Sequence, residues 1–462
     1  ARTLFGSLFF HLSILGMWRF FAVLLISRCS AIDFLGWQAR ARGLKNQIVC
    51  WRRELHRWPE LGYKEFKTSE FVQQTLRGMG LNFTAGWGKN TRQDRITGPG
   101  GTGIVVDIGT GKPPIVALRA DLDGLPITER TPVPFKSEEE GMMHACGHDG
   151  HTSMLLGAAK LLKDHVVDGV DEPLPGTVRL IFQPAEESGA GAARMVEEGA
   201  LQGVSRIFGL HLWPNLPSGT LGGAAGCVMG GEEDFEMFIV GRGAHGAMPH
   251  QGIDPIVAAS AVVQSLQTLV SRETDPLGSA VVSVTIFQAG NAFNAIPEEV
   301  RLGGTMRALN VELLEKLKSR FIQVVTGIVS AHACKLRGLE FSPDMYPPVH
   351  NDPMLWRWFA SREAGIVGPT GVPLQDELPP TFASEDFSFY SMQVPAAFIF
   401  VGTGTGSNTE AAALGFPTNA SLHNPGFNLD EDVLPLGSAL HVQLAVQSLH
   451  SQDKTWQTKV DL

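Results

Sequence analysis

Short apolar runs alternate with amphipathic stretches through the first half of the chain. The runs cover residues 102–109, 113–121, 176–184 and 205–213. Each is almost continuously hydrophobic, which is typical of strands that are covered on both faces. Helical periodicity separates them at residues 152–165 and 189–201, and an earlier helical pattern covers residues 46–80. This alternation predicts an α/β fold with a mixed, mostly parallel sheet and helices on both faces.

The pattern changes close to Gly230. Residues 231–345 predict the order strand, helix, strand, strand, helix, strand, which is the β-α-β-β-α-β order of a ferredoxin-like α+β unit. After it, residues 346–462 return to the first pattern and end in a long apolar helix. We therefore expect one domain built from residues 41–230 and 346–462, with residues 231–345 inserted as a second domain.

The N-terminal segment, residues 1–40, is set apart by its composition. It is strongly apolar, but Arg19 interrupts it, so it is not a clean transmembrane span. Residues 17–31 have a basic residue, an apolar core and a small-residue end, which is the plan of a secretory signal peptide. A signal peptide, a membrane anchor and an error at the gene start all stay open. We expect the secretory pathway or endoplasmic reticulum lumen if residues 17–31 are a signal and the cytoplasm otherwise, with membrane contact only through this segment.

Composition narrows the class of protein. The chain has 462 residues, of which 44% are hydrophobic and 18% charged, so it can bury a large core in two or three domain-sized units. The net charge is −10, and no run of basic residues offers a footprint for phosphate backbones. Nucleic acid is therefore not an expected partner. Five scattered cysteines are too few for a disulfide scaffold, which leaves a chemical role for one of them open.

The segment HACGHDGH, residues 144–151, concentrates ligand-type side chains before a predicted helix. Cys146 and His148 are two positions apart on a loop that enters the helix, where the helix dipole favours a thiolate. Thiolate and imidazole are good ligands for zinc or a similar ion. A polar loop that caps the helix explains these residues equally well. A catalytic Cys–His pair is less favoured, because its partners usually come from distant parts of the chain.

Other polar residues fall at the ends of neighbouring predicted strands. Glu186 and Glu187 directly follow one apolar strand, and His211 ends the next. Taken singly, adjacent glutamates are usually a solvated turn and a strand-end histidine is usually structural. However, α/β folds gather their sites at the carboxyl ends of strands. One carboxylate can bind a metal ion while its neighbour transfers a proton, so the pattern indicates a metal site with an acid/base group.

Taken together, several segments resemble a known family. They include ALRADLDGLPI, MHACGHDGHTSMLLGAAKLL, IFQPAEESGAGA, GLHLWPNLPSG, GRGAHGAMPH, FNAIPEEVRLGGTMRAL, SEDFSFY and SLHNPGF, in this order between about residues 48 and 450. The chain is similar to metal-dependent amidohydrolases that include auxin–amino acid conjugate hydrolases, hippurate hydrolase and N-acyl-amino acid amidohydrolases. The resemblance implies a di-metal exopeptidase-like fold, with residues 231–345 as a lid and dimerisation domain. It also implies two divalent metal ions per subunit, Mn²⁺ or Zn²⁺, with Co²⁺ as a further candidate.

The resemblance also assigns roles to single residues. The implied metal ligands are Cys146, His148, Glu187, His211 and His423. Cys146 would bridge the two ions and Glu186 would be the general base and acid. In the lid, His245 and Asn294 would stabilise the oxyanion or hold the substrate, and Arg307 would pair with a substrate carboxylate. A homodimer formed through the lid would bring His245 to the partner's site, and Asp123 would support the centre from outside the ligand shell.

The function implied is hydrolysis of the amide bond of N-acyl amino acids, of the indole-acetyl-amino acid or hippurate type. The products would be an acyl carboxylate and a free amino acid. A dipeptidase or carboxypeptidase with the same chemistry is one alternative, and a non-catalytic binding protein is another. A binding protein would have lost a ligand or the base, but this chain keeps all of them. The sequence leaves the acyl group, the amino acid and the metal open.

Overall fold

The computed structural model describes residues 33–92, 96–169, 173–361, 364–367, 371–404 and 410–451. Residues 17–31, the expected signal or anchor, lie outside these ranges. The helices are α1 Phe34–Gly43, α2 Lys45–Arg57, α3 Phe66–Gly78, α4 His148–Leu162, α5 Glu186–Gly189, α6 Gly191–Glu197, α7 Pro255–Ser271, α8 Val311–Ala331, α9 Pro353–Ala360, α10 Ser388–Ser391, α11 Glu410–Ala413 and α12 Leu434–His450. Within the described ranges, none of the helices has the length and apolarity needed to span a bilayer.

The strands fall into two large sheets and two small ribbons. They are β1 Thr84–Lys89, β2 Gly100–Gly109, β3 Ile115–Asp121, β4 Thr177–Gln183, β5 Val204–Pro217, β6 Leu221–Gly222, β7 Gly226–Met229, β8 Gly231–Val240, β9 Ala244–His245, β10 Ala280–Ala289, β11 Ala295–Ile296, β12 Glu299–Ala308, β13 Lys335–Phe341, β14 Val349–Asn351, β15 Leu374–Gln375 and β16 Ala396–Gly404. The ribbons pair β9 with β11 and β7 with β14.

The larger sheet has eight strands in the order β1-β2-β4-β3-β5-β16-β6-β15. Its centre, β4-β3-β5-β16, is parallel, while β1 and β2 pair antiparallel with their neighbours. At the other edge, β6 pairs antiparallel with β16 and parallel with β15. Alternate residues point to opposite faces, so Val106 and Leu118 join one hydrophobic core while Val105 and Ala117 join another. Helices cover both faces, which confirms the predicted mixed, mostly parallel α/β sheet.

Helix α4 brings the HACGHDGH segment to the sheet. Gly147, with φ 94°, takes the left-handed conformation that turns the chain into the helix. The helix is apolar on almost every side and packs between the sheet and α12. Its N-terminus therefore lies beside the carboxyl end of β3 and beside Leu212 in the middle of β5.

Residues 231–341 form the second sheet, in the antiparallel order β10-β12-β8-β13. Strand β8 buries every second residue, and helices α7 and α8 cover that face over a separate apolar core. Asp254 and Asn310 accept hydrogen bonds from the first backbone amides of these two helices. Strand β10 lies at one edge of this sheet.

The N-terminal part of the fold differs from the expected pattern. The helical pattern at residues 46–80 forms two helices, α2 and α3, because Pro59 and Tyr63, at φ 63°, break the path between them. Helix α1 begins at Phe34, inside the segment set apart by sequence, and buries Phe34 and Trp37 against α12. The fold therefore starts earlier than the composition suggests.

Candidate metal centre

Three buried donors meet where α4 begins, beside the middle of β5. The strand runs on to Pro217, so His211 lies within it and not at its end as the sequence suggested. The Cys146 Sγ lies 3.6 Å from the His211 Nε2. Each of Cys146, His148 and His211 offers one ligand atom, and these atoms lie within 4.8 Å of one another. Soft sulfur and imidazole donors in such a group suit zinc and similar ions.

A second group of donors shares the same cysteine. Ligand atoms of Cys146, Glu187 and His423 also lie within 4.8 Å of one another. The His423 Nε2 is 3.0 Å from the Glu187 Oε1, and the backbone amide of His423 donates to the carbonyl of Ala145 at 2.8 Å. Cys146 therefore stands between two donor groups, which is where a ligand that bridges two ions must lie.

The hydrogen bonds of His148 and His211 orient these rings for metal binding. The Nδ1 of His148 donates to the backbone carbonyl of Asp123 at 2.8 Å, and that of His211 donates to the carbonyl of Leu212 at 2.9 Å. Each Nε2 is thereby left as a lone-pair donor. The Nε2 of His148 is buried and has no hydrogen-bond partner among the described residues. Such a nitrogen is costly unless a cation accepts its lone pair, so these residues fit a metal ion.

Asp121 and His151 support the site from behind. The backbone amide of Leu212 donates to the His151 Nε2 at 2.9 Å, so the Nδ1 carries the proton and donates to Asp121 at 2.7 Å. The buried Arg119 also binds the Asp121 carboxylate, at 2.7 Å. Burial alone would raise the pKa of Asp121, but His148, His151 and Arg119 outweigh it and hold the pKa well below its usual value. Asp121 is therefore an ionised group whose oxygens are already used.

Glu186 lies at the inner end of the cluster. Its Oε2 is 3.8 Å from the His148 Nε2, and its side chain is buried. Burial, followed by the charges of Glu385 and Glu187, raises the pKa of Glu186 well above its usual value. A bound cation acts in the opposite direction. A carboxyl group balanced in this way can both accept and release a proton.

The backbone of the turn that carries Glu186 and Glu187 is held by surrounding side chains. The turn, α5, lies between Ala185 at φ 53° and Ala190 at φ 50°, both in the left-handed region that alanine rarely adopts. The Asp123 carboxylate accepts the amides of Glu186 and Glu187, each at 3.0 Å. Strain at both ends is thus balanced by specific hydrogen bonds.

Two further residues hold the same turn. The buried Glu65 accepts the amide of Ala185 at 2.8 Å, and the Tyr63 hydroxyl donates to the carbonyl of Gly189. Neither residue can be predicted from the sequence, since an isolated acid and an isolated tyrosine in a helical pattern give no signal. The same holds for the buried Glu385, which binds Arg119 at 2.8 Å beside Glu186. Its position at the start of SEDFSFY was the only available hint.

A cleft of about 420 Å³ opens over these donors. Cys146, Glu186, Glu187, His211 and His423 line it. So does Arg307, which reaches it from β12 of the second sheet. The cleft therefore joins the donor cluster to a cationic side chain from the inserted part of the chain.

His245 and Asn294 lie elsewhere. His245 lies in β9 and pairs with Ala295 of β11, and Asn294 directly precedes β11. The amide of Gly246 donates to the carbonyl of Asn294 at 2.8 Å. Both residues are exposed, and neither lines the cleft within one chain. The structure thus brings these two residues to each other but not to the donor cluster.

Sulfur, imidazole and carboxylate donors at the strand ends of an α/β sheet are typical of metal-dependent hydrolases. The sequence model of peptidase family M20/M25/M40 matches residues 117–447. An IAA-amino acid hydrolase ILR1-like 4 from Arabidopsis thaliana is 42% identical, over 88% of this chain and 87% of that protein. An N-acetyl-L-cysteine deacetylase from Bacillus subtilis is 36% identical, over 89% of this chain and 90% of that protein.

A solved structure shares the fold. A dinuclear metal binding peptidase of the M20 family from Bacillus subtilis superposes with a TM-score of 0.69 and 32% identity, covering 88% of this chain and 99% of that one. The protein is a metal-dependent hydrolase of amide bonds. It belongs to peptidase family M20/M25/M40. The donor groups and this neighbour support a site for two divalent metal ions.

Proposed function

We propose that this protein hydrolyses the amide bond of N-acyl amino acids, of the indole-acetyl-amino acid or hippurate type. The observation that carries the proposal is the cleft that joins the donor cluster to Arg307. It places a cationic group in the same cavity as the hydrolytic centre. The 42% identity with an IAA-amino acid hydrolase over 88% of the chain supports the same substrate class.

The donor cluster supports the chemistry proposed for the centre. Cys146 would bridge two ions, and the other ligands would be His148, Glu187, His211 and His423. Two divalent ions, Mn²⁺, Zn²⁺ or Co²⁺, would polarise the amide carbonyl and acidify a water molecule when bound. Glu186 then takes the proton from the attacking water and passes it to the leaving nitrogen. The nitrogen leaves as the free amino group of the amino acid.

Arg307 is proposed to recognise the carboxylate of the substrate. Its guanidinium pairs with Glu232 and donates to the carbonyl of Phe382 at 2.7 Å. A substrate carboxylate would take over the ion pair that Glu232 makes, and the planar guanidinium suits such a ligand. This would fix the amino acid part of the substrate against the second sheet.

The acyl group is proposed to lie on apolar side chains of the same cleft. Trp213, Met229 and Leu422 line it. Trp213 follows His211 by two positions on β5 and stacks on Phe400 with ring centroids 4.5 Å apart. A fixed indole face beside the centre favours a flat, apolar acyl group.

A dipeptidase or carboxypeptidase is the second candidate, because a thermostable carboxypeptidase from Saccharolobus solfataricus is 34% identical over 88% of this chain. A dipeptide carries a free ammonium group, which needs a carboxylate partner. Glu232, Asp234 and Asp344 line the cleft away from the donors, and of these Asp344 is already paired with Arg92 and Arg194. The higher identity with the IAA-amino acid hydrolase, 42% against 34%, favours a substrate with a blocked amino group over one with a free amino group.

We also propose that a second copy of the chain completes the site through the lid. His245 and Asn294 are exposed, the adjoining Phe293 is fully exposed, and β10 is an edge strand. An exposed edge strand and aromatic side chain are suited to pairing with another copy. His245 of one chain would then stabilise the oxyanion in the cleft of the other.

The proposed role of Arg307 distinguishes a hydrolase of N-acyl amino acids from an amidase whose substrates need no carboxylate. Benzoyl-glycine and N-methylbenzamide share the acyl group, but only the first has a carboxylate. We expect Arg307→Ala to lower kcat/KM for benzoyl-glycine about 10²- to 10³-fold, the loss typical of a charged recognition pair, while N-methylbenzamide turnover stays as low as in wild type. Arg301→Ala is the matched control, since Arg301 lies on the same strand, pairs with Glu236 and does not line the cleft. Equal turnover of both compounds by the wild type would contradict the proposal.

A further inference from the structure

The chain passes between the two sheets at two neighbouring crossings. It enters the second sheet at residues 230–232 and leaves it at residues 342–348. The backbones of Glu232 and Tyr346 pair there, with hydrogen bonds of 2.8 Å and 3.0 Å. Pro343, Pro347 and Pro348 flank Tyr346 and restrict the path of the outgoing crossing. Tyr346 is thus fixed to the point where both crossings meet.

The side chain of Tyr346 reaches the catalytic turn. Its hydroxyl donates to the carbonyl of Glu186 at 2.9 Å and accepts the amide of Ala190 at 2.7 Å. It therefore binds the first residue of α5 and the residue that follows its end. The ring is buried and packs edge-on against Phe389, with centroids 5.8 Å apart. One hydroxyl group thus spans the whole turn.

Tyr346 differs from the other side chains that hold this turn. Glu65, Tyr63 and Asp123 all come from segments that precede the second sheet, namely the loop between α2 and α3 and the residues that follow β3. Among the described residues that bind the turn, Tyr346 is the one that lies on a crossing. Glu232, its backbone partner, also binds Arg307. A continuous set of bonds therefore runs from Arg307 through the crossings to Glu186.

We propose that Tyr346 is a positioning residue that fixes the Glu186–Glu187 turn to the interdomain crossings, so that the path of the crossings sets the geometry of the turn. The inference rests on the proposed roles of Glu186 and Glu187. A displacement of the crossings would move a hydroxyl group bonded to both ends of the turn. Because proton transfer depends on short, aligned contacts, such a displacement would alter turnover more than substrate binding.

Tyr346→Phe tests the positioning role, because it removes the hydroxyl group and keeps the ring. Tyr390→Phe is the matched control, since the Tyr390 hydroxyl is buried and has no hydrogen-bond partner among the described residues. With the N-acyl amino acid that the wild type cleaves fastest, at saturating metal, we expect Tyr346→Phe to lower kcat about 10- to 100-fold and to change KM less than about twofold. Tyr390→Phe should keep both values.

Hydrogen exchange gives a second result that does not depend on activity. In the metal-free protein, we expect the amides of residues 185–192 to exchange about 10-fold faster in Tyr346→Phe than in wild type, with peptides of α8 unchanged. Normal kcat together with normal exchange would overturn the proposal. If the wild type cleaves no N-acyl amino acid, the proposed function fails, and the exchange experiment still tests the hold of Tyr346 on the turn.

Asp344→Asn tests the link to the crossings. Asp344 anchors the outgoing crossing by accepting from Arg194 at 2.7 Å and from Arg92. We expect this change to lower kcat severalfold in wild type but to have no further effect in Tyr346→Phe, because the connection is already cut. Tyr63→Phe removes a different hydroxyl group that binds the turn. In that background, Asp344→Asn should lower kcat by the same factor as it does in wild type. If Asp344→Asn lowers kcat by the same factor in wild type and in Tyr346→Phe, or has no effect in either, the link is contradicted.

Discussion

Cys146 is the residue on which the two donor groups depend. Burial, followed by the charges of Glu187 and Glu186, raises the pKa of its thiol well above the usual value, so the free protein holds it as a neutral thiol. Metal binding must then displace a proton, and a cation between such donors supplies the charge that makes this favourable.

We predict that Cys146→Ala binds less metal, because both donor groups lose their shared ligand. Metal content after dialysis against limiting Zn²⁺, measured by elemental analysis, should fall well below that of wild type. Cys334→Ala is the control, since Cys334 is also buried but lies in the core of the second sheet. A fully metallated and active Cys146→Ala protein would refute the bridging assignment.

Glu186→Gln removes the proton acceptor and keeps the shape of the side chain. Glu186 is in the donor cluster, but the proposed ligands do not include it. We therefore expect normal metal content and a loss of kcat on the order of 10²- to 10⁴-fold, which is the usual contribution of a positioned acid/base group. Steady-state kinetics with benzoyl-glycine would measure it, and activity close to wild type would remove Glu186 from the mechanism.

At the level of elements, the sequence predicts the strands and the helices between them, because burial on both faces leaves continuous apolar runs. It does not predict the break at Pro59 or the start of α1 at Phe34. The composition of residues 1–40 is apolar throughout, so it does not distinguish the residues of α1 from those that precede them. His423 lies at φ 58° in a loop, and no periodic pattern singles it out. Resemblance, and not periodicity, identified it. Tyr346 and Glu65 bind α5 through hydrogen bonds between segments that are far apart in the chain, so no local sequence pattern predicts these contacts.

Helix α12 leads to a prediction about acid stability. Burial lowers the pKa of His441 to about 3 from its usual value of 6.5. Between these values the unfolded chain binds a proton and the folded chain does not, so stability falls as the pH drops below about 6.5. At pH 5.5 this amounts to roughly 1 kcal/mol.

We predict that His441→Leu makes unfolding less sensitive to acid. Urea unfolding of the metal-free protein at pH 7.5 and at pH 5.5 should show a smaller loss of stability for the variant than for wild type. Other buried histidines contribute equally to both proteins and cancel in the difference. An identical loss in the two proteins would mean that His441 is not buried in its neutral form.

On the scale of the whole molecule, residues from both sheets line the cleft, and His245, which does not line the cleft of its own chain, is proposed to reach it from a second chain. We predict that Glu186→Gln and His245→Ala proteins, each poorly active, regain activity when unfolded together and refolded as a mixture. Half of the dimers would be mixed, each with one intact site, which gives about a quarter of wild-type activity. Each variant refolded alone is the control. A mixture that is no more active than its components would contradict a site shared between chains.

Metal-dependent cleavage of an acyl–amino acid bond is the activity proposed for this protein. It is tested most directly by incubating the chelator-stripped protein, with and without added Mn²⁺ or Zn²⁺, with benzoyl-glycine, indole-acetyl-alanine, acetyl-methionine and a free dipeptide. We predict no cleavage without metal, restored cleavage of at least one acylated amino acid with metal, and slower turnover of the dipeptide. Metal-bound protein that cleaves none of the acylated amino acids, or that cleaves only the dipeptide, would contradict the account.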